Sequence, residues 1–340
     1  MTTRTFEDRP AVRERVPLLL GLMGPSGGGK TFSALRLATG IQAVSGGEIF
    51  MVDTEARRGL HYASEFNFRH MPFGAPFGAL DYLAAINHCV DKGAGVVIVD
   101  SMSHEHEGPG GLLEVHASET KRLAKSWGVS EAKAQMSAWA KPKADRRRLI
   151  NTILQLPCNF IFCFRAKHKL KIKKGEDPKP LGFMPIAGEE FVYEQAVCAL
   201  LMPGANGVPT WRSDEDGEAQ MIKLPGWARA MFADGRPIDE GAGTKLAQWA
   251  AGTVVRSTAE LLAALDVCDD PATLGTLKTE ARASWKSTSK ADRERITKAI
   301  AEATERLSAA DPPPADDVDE SNGRVRPEDE PSDAQLGLEE

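Results

Sequence analysis

At LLLGLMGPSGGGKTFSALRLA, residues 18–38, an apolar run breaks into a glycine-rich bend and then into a segment with helical spacing. This junction constrains the fold more than any other part of the chain. It contains the pattern G-x-x-x-x-G-K-[ST], spelled Gly24, Pro25, Ser26, Gly27, Gly28, Gly29, Lys30, Thr31. Glycines let a backbone curl so that several N–H groups aim at one anion, and a following helix adds its free amides and positive dipole end. Such a bend suits a phosphate chain. Lys30 is placed to reach the β- and γ-phosphates, and the Thr31 hydroxyl to ligate Mg²⁺. The pattern carries weight only between a strand and a helix. Residues 16–23 have the length and apolarity of a buried strand, and Phe32, Ala34, Leu35, Leu37 and Ala38 repeat at helical spacing. Phe32, next to Thr31, is included among the expected nucleotide contacts.

From residue 16 to about 225, short apolar runs alternate with helical stretches, which predicts an α/β fold with a mostly parallel central sheet. Strands are expected at 16–23, 48–53, 68–73, 95–100, 159–164 and 196–202, and helices at 31–44, 77–92, 111–127 and 141–156. Beyond Gly204, the runs at 210–211 and 220–224 suggest an antiparallel edge hairpin. A break follows at ADGRPIDEGAG, then a short helix at 243–251, then two or three amphipathic helices within 257–309. Ser257 or Thr258 with Glu260 suits one helix start, and Pro271 suits the first turn of the next. The organisation expected is therefore a flexible leader (1–14), an α/β core that carries the phosphate cradle (15–240), a helical module (243–310) and a disordered acidic tail (311–340). A chain of 340 residues can bury one large core and an appendage of this size.

The net charge of −6 is unevenly spread. Residues 311–340 hold eleven acidic and two basic side chains, a net −9, so residues 1–310 carry +3. A mildly basic body with an acidic tail fits a protein that handles nucleic acid, and fits equally an ordinary enzyme with a solvating tail. Cys89, Cys158, Cys163, Cys198 and Cys268 lack C-x-x-C pairing, which argues for reduced thiols, no zinc site and a cytoplasmic setting. No run reaches the length of a membrane span, and the first residues lack the apolar stretch of a signal peptide.

A phosphate cradle needs a carboxylate to organise Mg²⁺. GVVIVDS supplies it as Asp100, at the end of an apolar strand some 70 residues further on, with Ser101 as a possible helper. Hydrolysis needs a group that polarises water. Glu55 in MVDTEARRG, just past another strand end, is the first candidate, because strand ends on one edge of a parallel sheet converge. The plain alternative is that Glu55 pairs with Arg57 or Arg58. Glu105 and Glu107 in SHEHEG are the second candidates.

GPSGGGKT, FMVDTEA and VVIVDS together resemble the core of the bacterial RecA recombinase. NFIFCFRAKHK followed by MPIAGEEFVYEQAVCALLM is similar to its strand, DNA-binding loop, short helix and closing strand. Within that family the likeness is to RecA-like ATPases of phage recombination modules, some of them proposed as single-strand annealing proteins. It covers residues 15–204. It implies ATP and Mg²⁺ as cofactors, single-stranded DNA as partner, a homo-oligomer (filament or ring), a recombination or replication protein docking on the helical module or tail, and the host cytoplasm if the chain is phage-encoded. Arg165 stands where RecA has a phosphate-sensing amide, and is expected to sense the γ-phosphate by charge alongside Lys30 and Glu55.

The most basic stretch is RAKHKLKIKKGEDPKPLGFMP, residues 165–185. Lys167, Lys169, Lys171 and Lys173 alternate, so an extended backbone puts them on one side, a strip able to track phosphates. A solvated loop, or a lysine reaching a neighbouring subunit's nucleotide, would show the same pattern. Arg146, Arg147 and Arg148 cannot share one helical face. His104, His106 and His116 suggest metal ligands, but an i, i+2 pair in an expected loop without cysteines fits a nucleotide-responsive segment better. Trp127, Trp139 and Phe183 are candidates for base stacking or for plain core packing. Three functions follow: a DNA-dependent RecA-like ATPase, a motor or helicase loader, or a nucleotide-switched binding module with slow hydrolysis. A packaging motor would bring clustered acidic nuclease ligands, and a small-molecule kinase an arginine-rich lid; neither is evident.

Overall fold

The computed structural model describes residues 15–172, 177–252, 256–285 and 288–310. The leader (1–14), Lys173 and the acidic tail (311–340) lie outside them. Along the chain run β1 (Leu19–Gly24), α1 (Lys30–Ser45), β2 (Glu48–Asp53), β3 (Arg69–Pro72), α2 (Ala79–Asp91) and β4 (Ala94–Asp100). Then come α3 (Ser103–Glu107), α4 (Leu112–Trp127), α5 (Glu131–Ala138), α6 (Ala140–Ile153), β5 (Asn159–Lys171), β6 (Lys179–Pro185), α7 (Glu189–Tyr193) and β7 (Val197–Leu201). The last are β8 (Pro209–Thr210), α8 (Asp216–Met221), α9 (Gly226–Arg229), α10 (Glu240–Ala250), α11 (Thr258–Asp266), α12 (Pro271–Ser284) and α13 (Lys290–Ala310).

The sheet order is β3-β2-β4-β5-β1-β7-β8, with β6 paired to β5 off this path. β3 through β7 in this order are parallel; β8 and β6 pair antiparallel. The fold is α/β with a mostly parallel sheet. Both faces are covered, which explains why the central strands read as unbroken apolar runs. Val97 and Val99 of β4 and Phe160, Phe162 and Phe164 of β5 pack on one face, against α2, α6 and α7. Val96, Ile98, Ile161 and Cys163 pack on the other, against α1 and α10. Each such valine, isoleucine or phenylalanine, fully buried, contributes about 1.5–3 kcal/mol.

Several boundaries differ from expectation. β1 starts at Leu19 rather than 16, because Pro17 has no N–H for the ladder and the Val16 N–H donates to Ala250 O (2.9 Å) instead. β5 runs seven residues past 164, since the alternating lysines extend it into a ribbon with β6. Of the expected hairpin, β8 pairs with β7, but 220–224 is the end of α8 plus a single bridge from Lys223 to Cys198. His104 and His106 lie on the short helix α3, not in a loop.

The helix expected at 243–251 belongs by packing to the sheet rather than to the helical module. α10 lies so close to α1 that a Cβ at Gly40 would sit 1.9 Å from Glu240 O, and Arg36 pairs with Glu240 at 2.6 Å. Residues 258–310 form three helices around their own core of Leu261, Leu265, Leu277 and Ile296. Ser257 and Glu260 form a reciprocal capping box, and Asp270 caps α12, whose first turn holds Pro271. All five cysteines are buried and free. Among the described residues, no helix is long and apolar enough to cross a membrane.

Candidate functional site

Ligands of open α/β sheets bind outside the carboxyl ends of the strands, where the loops part to opposite sides. Here β1 lies between β5 and β7, and the register puts Asp53, Asp100 and Cys163 level across β2, β4 and β5, with Arg165 opposite Gly24. A cavity of about 570 Å³ opens at this edge, lined by Ser26, Gly27, Gly29, Lys30, Thr31, Glu55, Asp100, Glu107 and Arg165, among others.

The glycine-rich loop is shaped by contacts that side chains would block. A Cβ at Gly28 would lie 2.3 Å from Leu201 O, so the loop seats directly on β7. Gly29 caps α1 at φ 82°, the left-handed region. The first turn of α1 holds no acidic residue, so its amide end keeps its positive field for an anion. Lys30 Nζ donates to Gly24 O (3.0 Å) and Pro25 O (2.8 Å), folded back over the loop. Burial lowers its pKa, opposed by nearby Asp100 and Glu55. Thr31 Oγ1 donates to Asp100 Oδ2 at 2.5 Å. Burial pushes the Asp100 carboxyl up to about 6 against the pull of this hydrogen bond. A hydroxyl and a carboxylate in contact are hard oxygen donors of the type Mg²⁺ takes alongside phosphate oxygens and water. Phe32 stands apart from the cavity lining and packs edge-on against Phe66 (5.4 Å).

Glu55 is held from two directions. Its N–H donates to Asp53 Oδ1 (2.7 Å), while Asp53 Oδ2 accepts from Gly59 N (2.9 Å) and meets His70 Nε2 (2.9 Å). The loop that carries Glu55 is thereby tied to the end of β2. The Glu55 carboxylate takes a two-pronged bond from Arg165: Nε to Oε1 at 2.7 Å and Nη2 to Oε2 at 2.6 Å. Burial raises the Glu55 pKa, but Arg165 outweighs it and the net shift is downward. Arg58 is a distant second partner at 3.6 Å, and Arg57 is not among its partners.

The two other acidic candidates part company. Glu105 is buried outside the cavity lining and bonds Arg146 (Nη2 to Oε2, 2.7 Å). Glu107 reaches the cavity rim and pairs with Lys167 at 3.4 Å. The histidines also diverge: His104 contacts Thr54 Oγ1 (2.6 Å), His106 contacts Arg146 (3.0 Å), and His116 stacks on Trp139 (3.8 Å). Among the described residues, no group of three or more His, Cys, Asp or Glu is placed to hold a metal.

Strand alternation puts Lys167, Lys169 and Lys171 on one face of β5 and His168 and Leu170 on the other, across a register irregularity between Lys169 and Leu170. Leu170 and Ile172 are exposed. Phe183 lies edge-on to His168 and against the core, Trp139 is half-buried under Lys143, and Trp127 is exposed. Sequence reasoning missed the Asp53 turn and the Arg165–Glu55 bond. The first had a signal, an Asp followed two residues on by the N–H it accepts. The second joins residues 110 apart and had none. No family model matches this chain, and no curated protein does either.

Proposed function

We propose that the chain is a RecA-like ATPase that binds and hydrolyses ATP with Mg²⁺ and acts on single-stranded DNA, as in phage-type recombination or replication. One observation carries the reading: the hydroxyl after the cradle lysine meets a strand-end carboxylate at 2.5 Å, at the floor of an open cavity that also holds Lys30, Glu55 and Arg165. Glycine amides and the α1 terminus take the phosphate chain, and Lys30 leaves its loop carbonyls for the β- and γ-phosphate oxygens. Thr31 and Asp100 would hold Mg²⁺, which when bound would neutralise charge developing on the phosphates. Glu55 takes a proton from the water that attacks the γ-phosphorus as the bond to the bridging oxygen breaks. The lysine face of the ribbon follows a DNA backbone.

A nucleotide-switched binding module with slow hydrolysis has one specific support, the occupation of both Glu55 oxygens by Arg165. ATP turnover with and without single-stranded DNA separates the two readings. A DNA-dependent ATPase is stimulated, and Lys169→Ala with Lys171→Ala lowers the stimulation. The same variant should flatten the slope of log affinity against log salt by about 1.4, at roughly 0.7 per lost phosphate contact. Unstimulated turnover and an unchanged slope would count against the DNA assignment.

A further inference from the structure

The Glu55–Arg165 bond lies inside the cavity assigned to nucleotide, and its geometry asks how the two groups could act there together. A guanidinium fork on a carboxylate satisfies the partner in the same planar, two-point manner that it offers to a phosphate. Glu55 takes the Nε and Nη2 edge of the Arg165 guanidinium, so a terminal phosphate meets that edge only by displacing the carboxylate. The pair is also exchangeable. The Arg165 side chain keeps 41% of its exposure while Glu55 keeps 14%, and both line the cavity. The backbones of both residues are anchored. Asp53 holds the Glu55 N–H at 2.7 Å, Arg165 N donates to Ser103 Oγ at 2.9 Å, and Arg165 O accepts from Ile186 N at 2.7 Å. Only the side chains need move, and carboxylate and phosphate compete for the Nε and Nη2 edge.

The geometry points to a latch that reads the third phosphate: a nucleoside triphosphate draws the Arg165 fork onto its terminal phosphoryl group and frees Glu55, while a diphosphate leaves the bond closed. This rests on the ATPase reading of the site and adds to it a reason for the site to tell triphosphate from diphosphate. The free protein keeps its acidic group occupied, and release comes only with the ligand on which that group acts. Arg165 thereby becomes a positioning residue for Glu55 as well as a phosphate contact.

The test is a double-mutant cycle on the full chain, read as equilibrium binding of fluorescently labelled ATP and ADP rather than as turnover. Glu55→Gln removes the competitor, so ATP should bind about tenfold more tightly, within the 5–150-fold range of such couplings, with ADP unchanged. Arg165→Ala should lose the preference for ATP and leave ADP unchanged. In the Arg165→Ala background, Glu55→Gln should no longer tighten ATP. This last arm separates a latch from simple repulsion between Glu55 and phosphate, which would persist without Arg165. Should Arg165→Ala not fold, as judged by circular dichroism, Arg165→Gln takes its place. Additive effects of the two substitutions on ATP, with wild type binding both nucleotides, would overturn the latch and leave the cradle standing. Binding of neither nucleotide by wild type would overturn the site reading and the latch with it.

Discussion

Two arginine–glutamate bonds of nearly the same geometry sit in different surroundings. Arg146 and Glu105 retain 6% and 4% of their side-chain exposure, and Arg165 and Glu55 retain 41% and 14%. The buried pair ties α6 to α3. Arg146 also meets His106 Nδ1 at 3.0 Å, approaches Glu190 at 3.9 Å, and lies where a Cβ at Gly188 would stand 2.1 Å from its Nη1. Solvent reaches little of either partner. The other pair faces a cavity lined by Lys30 and Thr31, and water or an anion can compete for either partner. The same chemistry is a clamp where solvent is excluded and an exchangeable contact where it is not.

Breaking the buried pair should have the largest effect on stability. Arg146→Ala leaves the buried Glu105 carboxyl without its partner, a loss on the order of 3–5 kcal/mol in a urea titration. A loss below about 1 kcal/mol would place the pair with surface ion pairs and erase the contrast. Replacing both partners with apolar residues, Arg146→Met with Glu105→Leu, should restore much of that loss, because no charge is left stranded. Arg165→Ala should change stability by no more than about 1 kcal/mol, the range of exposed pairs, while removing the preference for triphosphate. A larger loss would make this pair a second clamp.

The smallest effect is on pH dependence. Arg165 holds the folded Glu55 carboxyl below its ordinary 4.5. The contribution of the pair is therefore present above 4.5 and is lost as pH falls through the lower, folded value. The stability gap between wild type and Arg165→Ala should close on acidification, from the raised value that burial gives Glu55 without Arg165 down to the lowered value of the pair. A gap that widened on acidification would contradict the pairing.

What was legible in the sequence is what local pattern encodes. The glycine-rich bend, the strand-end positions of Asp53, Asp100 and Glu55, and the capped helices of 258–310 follow from spacing over a few residues. The alternating lysines 167–171 showed a period of two, yet the extension of β5 through them depended on β6 as partner. α5 has a short, weakly patterned sequence, EAKAQMSA, that shows no clear apolar stripe. The side-chain bonds that distinguish the carboxylates were hidden for another reason. Glu105 meets Arg146 across 41 positions and Glu55 meets Arg165 across 110, and no periodicity in one sequence registers such pairings. Of three acidic candidates, spacing could not say which was buried, which lay at the rim and which was held at the centre.

The central claim is that the loop 24–31 and Asp100 bind ATP with Mg²⁺. Calorimetric titration of the full chain with ATP and Mg²⁺, in parallel with Lys30→Ala, tests it most directly. Wild type should bind one nucleotide per chain, and Lys30→Ala should bind at least about tenfold more weakly, the loss of a charge-assisted contact worth roughly 1.4 kcal/mol or more. Equal affinity in the two proteins, or no binding by wild type, would contradict it.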